Sequence, residues 1–484
     1  MTPIRFENSY ALLPERFYAS IDPEKVPDPE LIRLNEGLAE ELGLDIGWLK
    51  SADGVAMLAG SRMPESAQPV SMAYAGHQFG NFVPQLGDGR AHLIGELVDK
   101  NGTRFDLHLK GSGRTPFSRR GDGKAALGPV LREYIVSEWF AAMGIPTTRT
   151  LAAVITGEDV YRETVLPGAV LARVAQSHVR VGTFQFFASR NDLEGVTTLA
   201  DYVIDRHFPE LKDSDNPYLA LFEVVAMRQA KLIAQWMGVG FIHGVMNTDN
   251  MQVVGETIDF GPCAFMDRFH PDKVFSSIDA MGRYAWNRQS SIAQWNLARL
   301  AETLLPLIDP DQAKAIAAAE QVLEQFNEAF QQHYEAIFSA KLGLAEGESH
   351  GSFIKETLAI MAANSVDFTL FFRRLTQVAT GEDEGPLLEL FSNREAADVW
   401  LERWKNRNNP ADEAVRQMQR FNPIYIPRNH RIEQAIEQAN LGYFTPFHEL
   451  VDLLAHPFDE QPGFEHYELP PKLHEEVRET FCGT

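Results

Sequence analysis

The chain has 484 residues, 44% apolar and 10% aromatic with 31 Phe, which excludes a mainly disordered polypeptide and leaves room for about three average domains. Its 44 basic against 67 acidic residues leave a net charge of −23, which argues against nucleic acid or an anionic membrane as the main partner while leaving a local basic pocket open. No run approaches the roughly 18 uninterrupted apolar residues that cross a bilayer; the start Met1-Thr2-Pro3-Ile4-Arg5-Phe6-Glu7 is unlike a signal or transit peptide, and two cysteines are too few for a disulfide scaffold, so a soluble cytoplasmic protein is expected.

Within residues 1–80 the one helical signal spans 29–42, where Leu31, Ile32, Leu34, Leu38 and Leu42 recur at helical spacing. The remainder of that stretch reads as a mostly irregular wrap. From Gly87 the pattern turns to strands: 91–98 and 103–110 flank Lys100-Asn101-Gly102, and Asn-Gly between apolar runs signals a hairpin. A helix is expected next, with Pro129 in its first turn and Gly144 just past its end. Strand-like runs at 150–155 and 169–174 close this β-rich section. Beyond Arg180 the chain reads as helical, with one long helix over 218–237 opened by Asn216-Pro217, and another over 310–342 with Asp309 as N-cap and Gly343 beyond its end. Further helices fill most of 352–454. The expected architecture is α+β and bilobal: an N-terminal extension over 1–80, a β-rich N-lobe over 81–180 and a large helical C-lobe over 181–484.

The most telling segment is His243-Gly244-Val245-Met246-Asn247-Thr248-Asp249-Asn250, followed nine residues after Asn250 by Asp259-Phe260-Gly261. This is the order of the metal and nucleotide loops in kinase-like folds, where one acid orients the acceptor hydroxyl while an Asn and the Asp of Asp-Phe-Gly hold magnesium. The metal pair is kept as Asn250 and Asp259. The first acid is not, because Val245 stands in its place, and a new acid, Asp249, lies directly beside Asn250. An Asp-Phe-Gly triplet alone is common by chance; the Asn ahead of it, with a short apolar strand expected at 251–254 between them, is much more specific. Hard oxygen donors of this kind suit magnesium or manganese, and no Cys and His spacing suggests zinc.

Cations gather upstream. Lys110 ends a strand whose alternation puts Phe105, Leu107 and Leu109 on one face and Lys110 on the other. In the next helix Glu133 shares a face with Val130, Val136 and Phe140, so its carboxylate points inward and needs a cation, for which Lys110 is the natural partner. Two solvated surface charges are the bland alternative. The Gly-rich loops Gly87-Asp88-Gly89-Arg90, Gly111-Ser112-Gly113-Arg114 and Arg119-Arg120-Gly121-Asp122-Gly123-Lys124 gather four Arg and one Lys in an acidic chain, which suggests an anionic ligand between the lobes. Arg173 and Arg180 flank the change from strand to helix, and spacing alone fits phosphate clamps and interlobe salt bridges equally well.

With these motifs in view, the chain resembles the selenoprotein O family of kinase-like protein adenylyltransferases, called YdiU in bacteria. The resemblance runs over nearly the whole length, from Phe6-Glu7-Asn8-Ser9-Tyr10 through Ala73-Tyr74-Ala75-Gly76-His77-Gln78-Phe79-Gly80 to Asn422-Pro423-Ile424-Tyr425-Ile426-Pro427-Arg428-Asn429. It implies transfer of AMP, not phosphate, from ATP bound in a flipped orientation to Ser, Thr or Tyr hydroxyls of other proteins. It further implies that Gly87, Gly89, Arg90, Lys110, Asp122, Gly123, Arg173, Arg180 and Asp259 contact ATP and that Glu133 orients Lys110. Asn250 and Asp259 would hold Mg2+ or Mn2+, and Asp249 would be the base. UMP transfer from UTP stays open, because nothing in the sequence reads the nucleobase. An ordinary phosphotransferase, disfavoured by Val245, and a catalytically inactive nucleotide-binding scaffold are the alternatives. Many family members carry selenocysteine near the C-terminus, where this chain has Cys482; the other cysteine, Cys263, lies four residues after Asp259, and a reversible Cys263–Cys482 disulfide that restricts the site is expected. The acidic surface, without an obvious sticky patch, makes a monomer the default.

Overall fold

The computed structural model describes residues 4–345, 349–407 and 412–481; most strands fall in the first 175 residues and most helices after them. The strands are β1 (Tyr18–Ser20), β2 (Glu30–Leu34), β3 (Val70–Met72), β4 (Gly76–Gln78), β5 (Asn81–Val83), β6 (Ala91–Val98), β7 (Arg104–Lys110), β8 (Ala125–Ala126), β9 (Arg149–Tyr161) and β10 (Val165–Ala175). Eight of them form one sheet in the order β1-β3-β6-β7-β10-β9-β2, with β8 added on β10, and every pairing is antiparallel. β4 and β5 form a separate hairpin. The β6–β7 turn forms at Asn101-Gly102: Asp99 Oδ1 accepts from the backbone N–H groups of Asn101 and Thr103, and Gly102 adopts φ +84°.

The alternation along β7 sorts its side chains. Leu107 and Leu109 bury with Ile94 and Val170 against Leu38, Leu49 and Leu58, which come from short helices in the first 60 residues. His108 and Lys110 face the other side, where the Leu127–Ala142 helix lies against β9 and β10. That helix is buried nearly all round, as a helix wedged between a sheet and further helices must be. Its Val130, Leu131, Tyr134 and Phe140 join the large core shared with the helical region.

Several expectations need correction. The helix read over 29–42 is split into β2 and a short Glu36–Glu41 helix capped by Asn35, whose Oδ1 accepts from Leu38 N–H. Leu31 and Leu34 instead pair with Val154 and Ala152 of β9, so strand pairing overrides a spacing too short to choose between the two periods. With β1 and β3 also in the sheet, the first 80 residues are less irregular than a wrap. β9 and β10 extend well beyond 150–155 and 169–174, because their outer ends leave the core and lose the apolar cue, with Tyr161 73% exposed.

In the helical region Asn216 caps Pro217–Gly238 as expected. The 31-residue helix Gln312–Leu342 is capped by Asp311, not Asp309; Asp309 ends the preceding Gln289–Ile308 helix, and its Oδ1 accepts from Asp311 N–H. Gly343 takes the left-handed φ of +66° that closes it. Helices then occupy most of 351–454 among the described residues. No strand forms at 251–254; only Gln252 makes a bridge, to Arg180, while Phe241–Ile242 pairs with Ala264–Phe265. No helix among the described residues is long and apolar enough to cross a membrane.

Candidate active site

The small Phe241–Ile242/Ala264–Phe265 ladder lays the loop 243–250 beside 258–263. His243 is buried and joins them: burial holds its pKa down, and its Nε2 donates to the Ile258 carbonyl at 2.9 Å. Val245 is buried and contributes only its backbone, the carbonyl accepting from Asn250 Nδ2 at 2.9 Å. Asn250 thereby has its amide oriented, with Oδ1 left as the outward donor atom.

Asp249 is 6% exposed. Its Oδ2 accepts from Gln78 Nε2 at 3.2 Å, whereas its Oδ1 is buried without a hydrogen-bond partner. Burial pushes this carboxyl up to about 6 against the pull of Arg180, which donates to the Asp249 backbone carbonyl at 2.8 Å. The β4–β5 hairpin packs closely here: a Cβ on Gly76 would lie 2.5 Å from Asp249 Oδ1.

Asp259 sits in the left-handed region at φ +62°, with a fully engaged carboxylate. Its Oδ1 accepts from Lys110 Nζ and Arg173 Nη1, both at 2.8 Å, and its Oδ2 from Arg180 Nη1 at 3.0 Å. Although burial pushes it up, Lys110, Arg173 and Arg180 together hold Asp259 well below the usual carboxylate range. Lys110 also reaches Glu133 Oε2 at 2.5 Å, and Arg173 reaches Glu133 Oε1 at 3.1 Å. The inward Glu133 expected from helical spacing is therefore present and shared by two cations.

Behind this cluster lies a layer that sequence reading passed over. Arg173 Nη2 lies 3.2 Å from His108 Nδ1, and His108 Nε2 lies 3.1 Å from Asp88 Oδ2. A guanidinium only donates, so Nδ1 accepts and the imidazole proton sits on Nε2, directed at Asp88. Burial holds the His108 pKa down, consistent with a neutral ring. His108 stacks on His178 at 4.2 Å, and His178 Nδ1 is 2.9 Å from Asp106 Oδ2. The Arg180 guanidinium lies 4.6 Å over the Tyr74 ring.

A cavity of about 1100 Å³ opens beside this cluster. Gly87, Gly89, Arg90, Lys110, Asp122, Gly123, Arg173, Arg180, Asp249, Asn250 and Asp259 all line it, as does Val245. Gly87 and Gly123 need to be glycine: both have positive φ, and a Cβ would lie 2.3 Å from the Phe117 ring or 2.2 Å from the Gly113 carbonyl. Asp122 makes a two-pronged pair with Arg162, at 2.8 and 3.1 Å, which holds its pKa down. Arg90, Arg114, Arg119 and Arg120 line the same cavity and make no ion pair among the described residues. A wall with this excess of unpaired guanidinium has the chemistry to hold a polyanion.

The family model described as protein adenylyltransferase SelO matches residues 1–455. The chain belongs to the SelO family. It is 58% identical to the protein nucleotidyltransferase YdiU of Rhizobium etli (strain CIAT 652) over 486 residues, covering 99% of this chain and 97% of the relative. Against the protein of the same name from Rhodopseudomonas palustris (strain BisB5) it is 58% identical, with 99% of each covered. The corresponding protein of Nitrobacter hamburgensis is 55% identical, covering all of this chain and 97% of the relative. As a SelO-family member the chain is a nucleotidyltransferase.

In this SelO-family chain Asp88, His108, Tyr74, Gln78 and Arg162 were not singled out from sequence, although Asp88 lies inside a flagged Gly-rich loop and strand alternation puts His108 on the Lys110 face. Cys263 is a buried free thiol that lies 3.5 Å from the Phe260 carbonyl, and burial pushes its pKa up to about 12. Cys482 lies outside the described residues. The tail just before it is anchored, since Thr480 donates from its N–H to the Phe275 carbonyl at 2.8 Å and from Oγ1 to the Pro262 carbonyl at 2.5 Å.

Proposed function

We propose that this protein transfers AMP from ATP to a Ser, Thr or Tyr hydroxyl of another protein, with the nucleotide held in the flipped orientation and the chain organised as a kinase-like bilobal fold over 1–80, 81–180 and 181–484. The observation that carries the reading is the exchange of acids: an apolar Val245 where phosphotransfer would need a carboxylate, and Asp249 at the cavity with one oxygen unpaired and a pKa pushed up to about 6. A carboxylate of that basicity accepts a proton near neutral pH. Asp249 takes the proton from the acceptor hydroxyl as its oxygen bonds to the α-phosphorus and the bond to pyrophosphate breaks. Lys110, Arg173 and Arg180 neutralise the departing pyrophosphate. In the free protein those cations hold Asp259; phosphate oxygens replace it as their partner, which releases the Asp259 carboxylate.

Asn250 Oδ1 and the Asp259 carboxylate are hard oxygen donors and fit a magnesium or manganese ion. No group of three or more His, Cys, Asp or Glu among the described residues would enclose one, so most of its ligands come from phosphate and water. When bound, such an ion screens phosphate charge and fixes the triphosphate. His108 and Glu133 keep Arg173 and Lys110 aimed at the cavity.

Labelling with ATP carrying label at the α or the γ phosphate tests the reading. α-Label on protein, reduced about 10²–10⁴-fold in Asp249→Asn, is expected. γ-Label would make the protein a kinase, and no label at all would make it a scaffold. UTP is tried alongside. Running the assay with and without reductant tests a regulatory Cys263–Cys482 disulfide, which Thr480 beside Pro262 favours; equal activity in both removes that part.

A further inference from the structure

The approach to Asp249 is framed by two short elements. On one side is the β4–β5 hairpin, latched to the 243–250 loop: His77 N–H donates to Thr248 Oγ1 at 2.7 Å, and Phe79 N–H to Asn247 Oδ1 at 3.1 Å. On the other is the turn 276–283, whose Ile278 lines the same cavity as Gln78 and Asp249. Tyr284 OH joins the two, donating to Asn247 Oδ1 and lying 3.2 Å from Phe79 N. This frame exposes apolar surface that the fold does not cover, with Phe82 39%, Ile278 62% and Met281 86% exposed.

The frame is also locally basic in a chain of net charge −23. The Arg283 guanidinium lies 4.8 Å from the Trp295 ring and 5.7 Å from the Tyr284 ring, and it makes no ion pair among the described residues. Arg288 is likewise without a carboxylate; its nearest acceptor is the Met281 carbonyl at 3.5 Å. The nearby acids are engaged elsewhere: Asp279 accepts from the N–H groups of Arg283 and Tyr284, and Asp272 from Asn287 Nδ2. A guanidinium against aromatic rings has lost part of its hydration, and although the Arg283 Nε is buried, its charge is matched by no carboxylate among the described residues and can be met by an incoming one.

We infer that the surface between the β4–β5 hairpin and the turn 276–283 docks the acceptor polypeptide, and that Arg283 and Arg288 select hydroxyls flanked by Asp or Glu. This rests on the AMP-transfer reading and adds a substrate class to it. Phe82, Ile278 and Met281 supply apolar contact for the acceptor backbone. Arg283 supplies the charge contact that sets which sequence is bound and how fast it arrives.

The test uses the full chain, ATP labelled at the α phosphate, and synthetic peptides with one Ser, Thr or Tyr flanked by Glu, Gln or Lys. Wild type is expected to prefer Glu flanks over Lys flanks by roughly tenfold or more in kcat/KM. The double variant Arg283→Glu, Arg288→Glu reverses that order, Arg283→Gln flattens it, and calorimetric ATP affinity stays unchanged in all three proteins. Label transfer without a flank preference, or a preference that survives charge reversal, overturns this inference and leaves the transfer reading intact. Failure to label any peptide, together with γ-label or none on protein when ATP labelled at each phosphate is compared, overturns both.

Discussion

Two buried clusters of cation and carboxylate lie in different parts of the fold and differ in what surrounds them. In the helical region Arg428 is 1% exposed; it donates from Nη1 to Asp267 at 2.5 Å and to Asp367 at 2.9 Å, from Nη2 to Asp367 at 3.2 Å, and from Nε to the Glu468 carbonyl at 3.0 Å. Asp367 also caps the Phe368–Ala379 helix, so one guanidinium ties three stretches of chain together. At the cavity, Lys110, Arg173 and Arg180 share Glu133 and Asp259, with Asp88 standing off at 3.8 Å. The Arg173 and Arg180 Nε atoms have no partner. One cluster has carboxylate to spare and is sealed; the other sets three cations against three carboxylates and opens on a cavity whose wall adds Arg90, Arg114, Arg119 and Arg120, which make no ion pair among the described residues. Residue type is the same in both, and the sign of the surplus separates a structural cross-link from a ligand site.

The largest effect is expected at the sealed cluster. Arg428→Ala leaves two buried carboxylates without a cation and lowers stability by roughly 3–5 kcal/mol, read as an earlier urea midpoint. ATP affinity of the folded fraction stays as in wild type; a matching loss of affinity would mean that the two clusters are coupled. At the open cluster, Asp259→Asn keeps a residue that tolerates the left-handed backbone but removes the charge that competes for three cations. Affinity for inorganic triphosphate in the presence of a chelator rises roughly tenfold by calorimetry, while metal-dependent label transfer falls. A fall in both would deny that Asp259 occupies the phosphate subsite. The smallest effect is one of pH. Burial, with Asp367 alongside, pushes Asp267 from 3.8 up to about 6 against the pull of Arg428. Between those values the folded chain holds a proton that the unfolded chain has released. The Asp267 contribution to stability is therefore complete in acid and is lost as pH rises from about 3.8 through about 6, on the order of 3 kcal/mol in all, of which roughly 1.4 kcal/mol falls above pH 5. Asp267→Asn should flatten that slope in thermal unfolding measured from pH 5 to 8.

Much of the open cluster could be anticipated because its cues are local. Strand alternation placed Lys110, helical spacing turned Glu133 inward, and the interval from Asn250 to Asp259 belongs to one loop. The layer behind it could not be anticipated, because Asp88, His108 and His178 meet only through the register of β6, β7 and β10. β2 was misread for a related reason: Leu31, Ile32 and Leu34 satisfy a helical spacing, and only β9 alongside makes them a strand. The apolar surface beside the β4–β5 hairpin was invisible because exposure, not spacing, marks Ile278 and Met281.

Gly76 gives Asp249 a mechanical property that neither residue has alone. The hairpin backbone lies where a side chain would strike the unpaired Oδ1, 2.5 Å from where a Cβ would sit. Main chain, rather than a rotatable group, is therefore the wall on the Oδ1 side, and the carboxylate cannot swing further toward it. Gly76→Ala would push the carboxylate aside while leaving every charged residue of the site in place, and under the transfer reading proposed above that misdirects the base.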